Sequence, residues 1–85
     1  MIFKAISDKT RREIIILLFQ NDGMNVKRLS KNFNNISRAA VSKQLIFLLR
    51  SGLVTAKKIG RKRIYRLNPE PMREVVEWLK QFFLT

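Results

Sequence analysis

The chain has 85 residues, of which 46% are hydrophobic, and it carries a formal net charge of +12. This length predicts a single domain over residues 1–85, near the small end of what folds without disulfides or metals. Because cysteine and histidine are both absent, the composition excludes disulfides, thiolate nucleophiles, histidine bases and nearly every transition-metal site. We therefore expect neither an enzyme nor a bound cofactor.

The N-terminal part of the chain is predicted to be helical. A short apolar element over residues 1–6 is followed by a helix over residues 8–20, which begins at Asp8 or at a capping box formed by Thr10 and Glu13. The apolar face of this second helix is too broad for a surface helix, so we expect it to run through the centre of the core. The apolar positions are Ile14, Ile15, Leu17, Leu18 and Phe19.

Two more helices are predicted in the middle of the chain. The first covers residues 26–33 with Asn25 as its N-cap, and the second covers residues 38–51 with Ser37 as its N-cap. Two asparagines, at 34–35, make the tight turn between them, since asparagine tolerates the left-handed backbone conformation. Two short helices joined in this way are typical of a helix-turn-helix motif.

A β-hairpin and a last helix complete the predicted fold. Two β-rich runs joined through residues 59–61 predict a hairpin over about 54–67, and a helix over 70–84 follows. The order of elements, α-α-α-α-β-β-α, predicts a mainly α fold with a β-hairpin. This is the winged helix-turn-helix, with its helix-turn-helix at about 26–51.

The positive charge is concentrated in one block of the sequence. Residues 23–69 hold twelve basic residues and no Asp or Glu, whereas the six basic and six acidic residues outside this block balance. The twelve are Lys27, Arg28, Lys31, Arg38, Lys43, Arg50, Lys57, Lys58, Arg61, Lys62, Arg63 and Arg66. Charges of one sign repel one another, so a polyanionic partner is the expected reason for such a block.

The helix over residues 38–51 has the composition of a DNA-reading helix. Val41, Leu45 and Leu48 follow the i, i+4, i+7 pattern of a core-facing stripe, which leaves small side chains and long donors for the other faces. Small residues let a helix enter the major groove, while long ones reach base edges and phosphates. The candidate base-reading residues are Arg38, Ala39, Ser42, Lys43 and Gln44.

The expected roles of these side chains follow from their donors and acceptors. Arg38 and Lys43 suit guanine O6 and N7, Gln44 suits adenine, and Ser42 suits either a base or a phosphate. An ordinary amphipathic helix with solvated donors is the alternative, and the helix alone does not distinguish the two interpretations.

The predicted hairpin favours the DNA-binding interpretation. A two-stranded ribbon cannot bury its cations, but it can place them along phosphates, with Arg61 best placed to enter the minor groove. Phosphate contacts fix position without reading sequence, so we expect the wing to supply affinity and the helix to supply discrimination. The candidate phosphate contacts are Lys27, Lys57, Lys58, Arg61, Lys62 and Arg63.

Three motifs in combination, "SDKTRREII", "AVSKQL" and "GRKRIYRLNP", resemble those of the ArsR/SmtB family of bacterial winged-helix repressors. The resemblance covers residues 3–18, 26–33, 36–54 and 60–69. It implies a homodimer that binds an imperfect palindrome in its own promoter and blocks transcription. By motif position, the base-reading residues of the family correspond to Arg38, Ala39, Ser42 and Lys43.

One departure from the family concerns metal. Many members sense metals through cysteines on the first helix of the motif or through Asp, His and Glu on the last helix, and neither segment here contains Cys or His. Glu70, Glu74 and Glu77 are interpreted as helix-end charges. The chain is therefore expected to be metal-independent and similar to the SdpR-like autorepressors.

The two ends of the chain are predicted to form a dimer interface. The last helix is apolar over too wide a share of its surface for one contact, and residues 1–6 add a second apolar element. The family resemblance implies pairing of these terminal helices across a two-fold axis; the alternative is purely intramolecular packing. The candidate interface residues are Ile2, Phe3, Ile6, Val75, Trp78, Leu79, Phe82 and Phe83.

Two other partners stay open at this point. Basic patches and apolar helices also bind anionic lipid, although here the most apolar helix is charge-balanced. Structured RNA is the third alternative, and A-form duplex should compete poorly if a helix enters the major groove of DNA. The longest apolar run, residues 14–19, is too short to cross a bilayer, and charged residues follow the first apolar ones too closely for a signal peptide, so we expect a cytoplasmic protein.

Overall fold

The computed structural model describes residues 1–84. Its elements are α1 (Ile2–Ala5), α2 (Lys9–Asn21), α3 (Val26–Ser30), α4 (Arg38–Arg50), β1 (Val54–Ile59), β2 (Lys62–Leu67), a 3-10 turn (Glu70–Met72) and α5 (Arg73–Phe83). This order confirms the predicted mainly α fold with a β-hairpin, the winged helix-turn-helix. No helix within residues 1–84 is long and apolar enough to cross a membrane.

Three helices begin at the predicted N-caps. The side chains of Asp8, Asn25 and Ser37 each accept a hydrogen bond from the backbone amide three residues later, at 3.0, 2.8 and 3.1 Å. Each cap satisfies an amide that has no partner within its helix. The N-cap of α2 is thus Asp8, and its C-cap is Asp22, which adopts the left-handed conformation with φ of 50°.

Two helices are shorter than predicted. The first helix of the motif ends at Ser30 rather than at residue 33, and residues 70–72 form a 3-10 turn before α5 begins. The prolines at positions 69 and 71 account for the second difference, because each lacks the backbone N–H that a regular helix uses.

A single cluster of buried side chains joins the helices to the base of the hairpin. It consists of Ile2, Ala5, Ile14, Ile15, Leu18, Met24, Leu29, Val41, Leu45, Leu48, Leu53 and Val54. Helix α2 contributes three of these, as expected for a central helix. The inclusion of Phe19 in its core face is wrong, because Phe19 is 74% exposed. At about 100° per residue, it lies outside the arc that Ile14, Ile15 and Leu18 share.

The hairpin pairs β1 with β2 in an antiparallel register from Val54↔Leu67 to Ile59↔Lys62. Gly60 and Arg61 form the two-residue turn, and Gly60 has φ of 63°, a value that favours glycine at the first position of a type II′ turn. A bridge between Met24 and the β2 residue Tyr65, with bonds of 3.0 and 2.9 Å, ties the α2–α3 loop to the hairpin. The wing is therefore fixed to the helical body at its base, and its tip projects.

Candidate nucleic-acid interface

A cationic cleft lies where α3, α4 and the hairpin meet. Its volume is about 420 Å³, and it is lined by Asn25, Val26, Lys27, Arg38, Arg61, Lys62, Arg63 and Tyr65. Five of the predicted DNA contacts, from three different elements, thus share one concave surface. Tyr65 was not among the predicted members of this surface; its side chain is half-buried and also packs against the core.

The packing of α4 determines which of its residues face outward. Val41, Leu45 and Leu48 are buried, so at about 100° per residue Ala39 and Lys43 lie on the opposite side of the helix. Both are exposed, and Arg38 is exposed in the first turn. Ser42 is half-buried and lies between Arg38 and Ala39 around the helix. These four residues form a continuous face that begins at the cleft.

Gln44 is separated from that face. Two positions along a helix differ by about 200°, so Gln44 lies on the side of α4 away from Ser42. Its Oε1 accepts a hydrogen bond from Nη1 of Arg11 at 2.9 Å. The structure therefore does not bring Gln44 together with the other candidate base-reading residues.

The wing carries its cations on both faces of the ribbon. Lys58 lies directly opposite Arg63, whereas Lys57 lies opposite Ile64 on the other face. The guanidinium carbon of Arg63 lies 5.7 Å from the centroid of the Tyr65 ring. Lys58 and Arg63 are like charges at facing positions, which is an unfavourable cross-strand pair in the absence of an anion.

No acidic side chain neutralises the basic block. Within residues 1–84 the two ion pairs are Arg73–Glu70 at 2.7 Å and Lys80–Glu77 at 2.9 Å, and both lie on the C-terminal flank. The hydrogen bond from Arg73 lowers the pKa of Glu70 below its ordinary value, and the charge of Arg73 adds to this effect. All the predicted DNA-contact cations are exposed. The field at the cleft is therefore positive and uncompensated.

The acidic residues form no metal centre in the part of the chain that the structure describes. No group of three or more Asp, Glu, His or Cys side chains there is close enough together to hold a metal ion. Glu70 and Glu77 each bind a basic residue three positions later in the chain.

The terminal elements form a second incomplete surface, which is apolar. Phe3 of α1 packs edge-to-face on Trp78 of α5 with ring centroids 5.6 Å apart, and Trp78 packs in the same way on Phe82 at 5.1 Å. Phe82 and Phe83 remain 60% and 80% exposed. Of the predicted interface residues Ile2 must be withdrawn, because its side chain is buried in the core of the protomer.

An apolar groove adjoins these aromatic residues. Its volume is about 330 Å³, and it is lined by Ile6, Arg12, Ile15, Ile16, Met72, Val75 and Val76. Ile6 and Val75 are among the predicted interface residues, whereas Ile16 and Val76 are not. Both are about half exposed. The sequence does contain a signal for Ile16. It lies on the outer side of α2, where a large apolar residue has no core to contact and indicates a contact surface.

Comparisons with known proteins agree with this geometry. Residues 8–56 match the family described as "Bacterial regulatory protein, arsR family". The HTH-type transcriptional regulator YuzN of Bacillus subtilis is 33% identical over 85 residues, which cover 93% of this chain and 92% of the relative. The transcriptional repressor SdpR of the same organism is 33% identical over 81 residues, or 95% and 88% of the two chains.

A solved structure with the same fold is that of an ArsR-like transcriptional regulator from Rhodococcus sp. RHA1. It superposes with a TM-score of 0.85 at 31% identity, over 95% of this chain and 72% of that one. The fold, the cationic cleft and these likenesses define a DNA-binding transcriptional regulator with a winged helix-turn-helix, and not an enzyme. The chain belongs to the arsR family of bacterial regulatory proteins.

Proposed function

We propose that the protein is a dimeric repressor that binds an imperfect palindrome in double-stranded DNA and represses its own promoter. The observation that carries this proposal is the cleft in which Lys27, Arg38 and the wing cations meet beside an outward face of α4. A surface of this kind fits a phosphate backbone that runs between a helix in the major groove and a wing in the next minor groove.

The two parts of the surface have different tasks in this proposal. The exposed face of α4, with Arg38, Ala39, Ser42 and Lys43, enters the major groove and reads bases. The cations of the wing lie along the phosphates, and Arg61 at the tip enters the minor groove. Bound phosphate removes the repulsion between cations such as Lys58 and Arg63. DNA therefore stabilises a region that is strained electrostatically when free.

Dimer formation through α1 and α5 is supported by the exposed aromatic residues and by the shape of the protomer. The radius of gyration is 13.8 Å, whereas a compact chain of this length has about 12 Å. Phe82 and Phe83 at the end of α5 and the following Leu84 are exposed, and a second copy would cover them. Two-fold pairing then presents two α4 helices to half-sites about 34–36 Å apart.

Repression, in this proposal, results from occupation of a promoter by the dimer. The likeness to the transcriptional repressor SdpR over 95% of this chain supports this sign of regulation, although another relative is named the transcriptional activator HlyU. We propose that the protein acts without metal and in the cytoplasm. A promoter-reporter assay with and without the intact gene distinguishes repression from activation by the direction of the change.

The test of DNA recognition is selection of bound fragments from random duplex DNA, followed by a salt titration on the selected sequence. We expect two-fold symmetric fragments and a fall in affinity of about 10³–10⁵-fold between 50 and 200 mM salt, as for 6–10 neutralised phosphates. A salt slope near zero or fragments without symmetry would contradict the proposal. Competition by anionic vesicles or A-form RNA duplex as strong as by the selected DNA would favour the lipid or RNA alternative.

A further inference from the structure

Arg11 makes four contacts that join two separate elements. Its Nε donates to the carbonyl oxygen of Ala5 at 2.8 Å, and its Nη2 donates to the carbonyl oxygen of Lys4 at 2.9 Å. Its Nη1 donates to Oε1 of Gln44 at 2.9 Å, and its guanidinium carbon lies 4.1 Å from the ring centroid of Phe47. One rigid group thus binds the last carbonyls of α1 and the middle of α4.

The guanidinium is suited to hold these elements at a fixed angle. Its donors lie in one plane in a fixed fork, so bonds to several acceptors at once restrict the orientation of each. A cation over an aromatic ring adds a contact that a neutral side chain lacks. Phe47 and Gln44 lie three positions apart and therefore share one side of α4. Rotation of α4 relative to α1 would break several of these contacts together.

We propose that Arg11 is a positioning residue that sets the separation of the two recognition helices, and hence the spacing between operator half-sites that the dimer accepts. The inference rests on the proposed function, because it requires a dimer whose two-fold axis passes near α1 and α5. In that dimer α1 lies at the interface and α4 lies on the DNA, and Arg11 connects one to the other.

The geometry of the complex makes spacing sensitive to this connection. Each recognition helix lies about 17 Å from the dimer axis, half of the roughly 34 Å between half-sites. A change of about 10° in the α1–α4 angle would displace each α4 by up to about 3 Å and change the separation of the two helices by up to about 6 Å, nearly two base steps of about 3.4 Å. If the angle is restrained less tightly, the dimer should therefore also bind operators whose half-site spacing differs by one or two base pairs.

The chain provides a matched control at the next position. Arg12 also caps α1, because its Nη1 donates to the carbonyl oxygen of Ile6 at 2.8 Å. Within the described residues this is the side-chain hydrogen bond that Arg12 makes, and it does not reach α4. Arg12→Met therefore removes a guanidinium from the same helix and the same cap while it leaves the α4 connection intact. Because Arg12 also lines the apolar groove, Lys9→Met, at an exposed position of α2 outside that groove, is a second control with the same expected result.

The experiment compares wild-type protein with Arg11→Met, Gln44→Leu and Arg12→Met on three kinds of DNA. These are the selected palindrome, palindromes with the half-site spacing changed by one or two base pairs, and a single half-site. We expect wild type and Arg12→Met to prefer one spacing at least tenfold. Arg11→Met and Gln44→Leu should lose most of that preference and bind the single half-site within about twofold of wild type.

Several results would overturn the proposal. One is that Arg11→Met retains the wild-type preference for one spacing. Another is that Arg11→Met loses affinity equally for the half-site and for every palindrome, which would indicate a purely structural role. If Gln44→Leu weakens the single half-site, Gln44 reads a base and the connection to α4 is wrong. Arg11→Lys, which keeps the charge without the planar fork, replaces Arg11→Met if the latter does not fold, and it should also lose the spacing preference.

The same measurements distinguish failure of this inference from failure of the proposed function. A wild-type protein that binds half-site and palindrome equally, with no preferred spacing, would contradict the dimeric function itself. A wild-type protein with a preferred spacing that the Arg11 and Gln44 variants retain would contradict the role of Arg11 alone. Analytical ultracentrifugation of each variant without DNA verifies that the oligomeric state is the same in every comparison.

Discussion

The basic block, residues 23–69, and the two flanks differ in whether their surface charges are balanced by opposite charges. The block has twelve cations and no acid, and both ion pairs of the described chain lie in the C-terminal flank. The distribution of exposed large apolar residues is the reverse. Within the described residues, Ile46 and Ile59 are the two in the block, whereas the flanks hold the other ten, including Trp78 and Phe82.

This contrast indicates two surfaces that are each incomplete in a different way. In the proposed function, a polyanion supplies the counter-charge that the block lacks, and a second copy supplies the apolar cover that the flanks lack. Removal of a repelled charge from the block and of a paired charge from the C-terminal flank should therefore change stability in opposite directions. In the block it relieves repulsion, and in the flank it breaks a pair. Variants of each surface test this contrast.

The largest effect is expected from a charge on the apolar surface of α5. Leu79 is 42% exposed in the protomer, so Leu79→Glu should leave the protomer folded but place an unpaired carboxylate in the dimer contact. Loss of the dimer removes the intramolecular second half-site, which weakens palindrome binding by about 10²–10⁴-fold. Sedimentation measures the oligomeric state, and DNA titration measures the affinity for the palindrome. Gln81→Glu, on the opposite side of the same helix, is the control, and equal behaviour of the two variants would refute the assigned interface.

The second-largest loss of DNA affinity is expected from removal of two cations of the wing. Arg61→Ala with Lys62→Ala removes four charges per dimer, which lowers the salt slope by up to about 3.6 and the affinity by on the order of 10²-fold at 0.2 M salt. Specific and non-specific DNA should be affected alike, since phosphates carry no sequence. Lys4→Ala with Lys9→Ala makes the same change in net charge outside the block. A similar loss in that control would mean that net charge matters rather than the wing.

A smaller and more selective effect is expected from Lys43→Ala. Loss of one base contact from each protomer should cost about 1 kcal/mol per half-site, the lower end of the range for a base contact, whereas non-specific binding should change little. Titrations of the selected operator and of a scrambled duplex measure the difference. If both affinities fall equally, Lys43 contacts phosphate and its base-reading role is wrong.

The parts of the fold that depend on neighbouring residues were predictable from the sequence. The caps at Asp8, Asn25 and Ser37 and the turn at Gly60 are set by residues within a few positions of each other, and the structure has each of them. The core stripe of α4 was predictable for the same reason, because helical periodicity is a local property.

The errors concern contacts between distant parts of the chain. Nothing near Gln44 in sequence indicates that Arg11, 33 positions away, binds its Oε1. Ile2 and Phe19 are both large and apolar, and their opposite burial depends on which neighbours cover them, not on their own type. The cleft was predictable as a set of cations, but Tyr65 joins it because β2 packs beside α3.

Removal of one cation from the basic block is expected to stabilise the fold. Lys58 faces Arg63 across the hairpin, so Lys58→Thr should raise the free energy of unfolding without DNA by a few tenths to about 1 kcal/mol. Lys57→Thr introduces the same residue opposite Ile64 and controls for strand propensity. The difference between the two variants should shrink as salt screens the repulsion. A Lys58→Thr protein less stable than Lys57→Thr at low salt would contradict the repulsion.

The smallest effect on stability is expected in the C-terminal flank, where removal of a charge should destabilise the fold. Arg73 lowers the pKa of Glu70 in the folded protein, so the ionised carboxylate stabilises the fold above its unfolded pKa. That stabilisation is lost as the pH falls through the lower, folded pKa. Glu70→Gln should thus slightly lower the unfolding temperature at pH 7 and should match wild type in acid below that pKa. The pair is largely exposed, at 79% and 64% for the two side chains, which limits the size of the effect. Melting curves across pH measure it, and a Glu70→Gln variant more stable than wild type at pH 7 would show that flank and block respond alike.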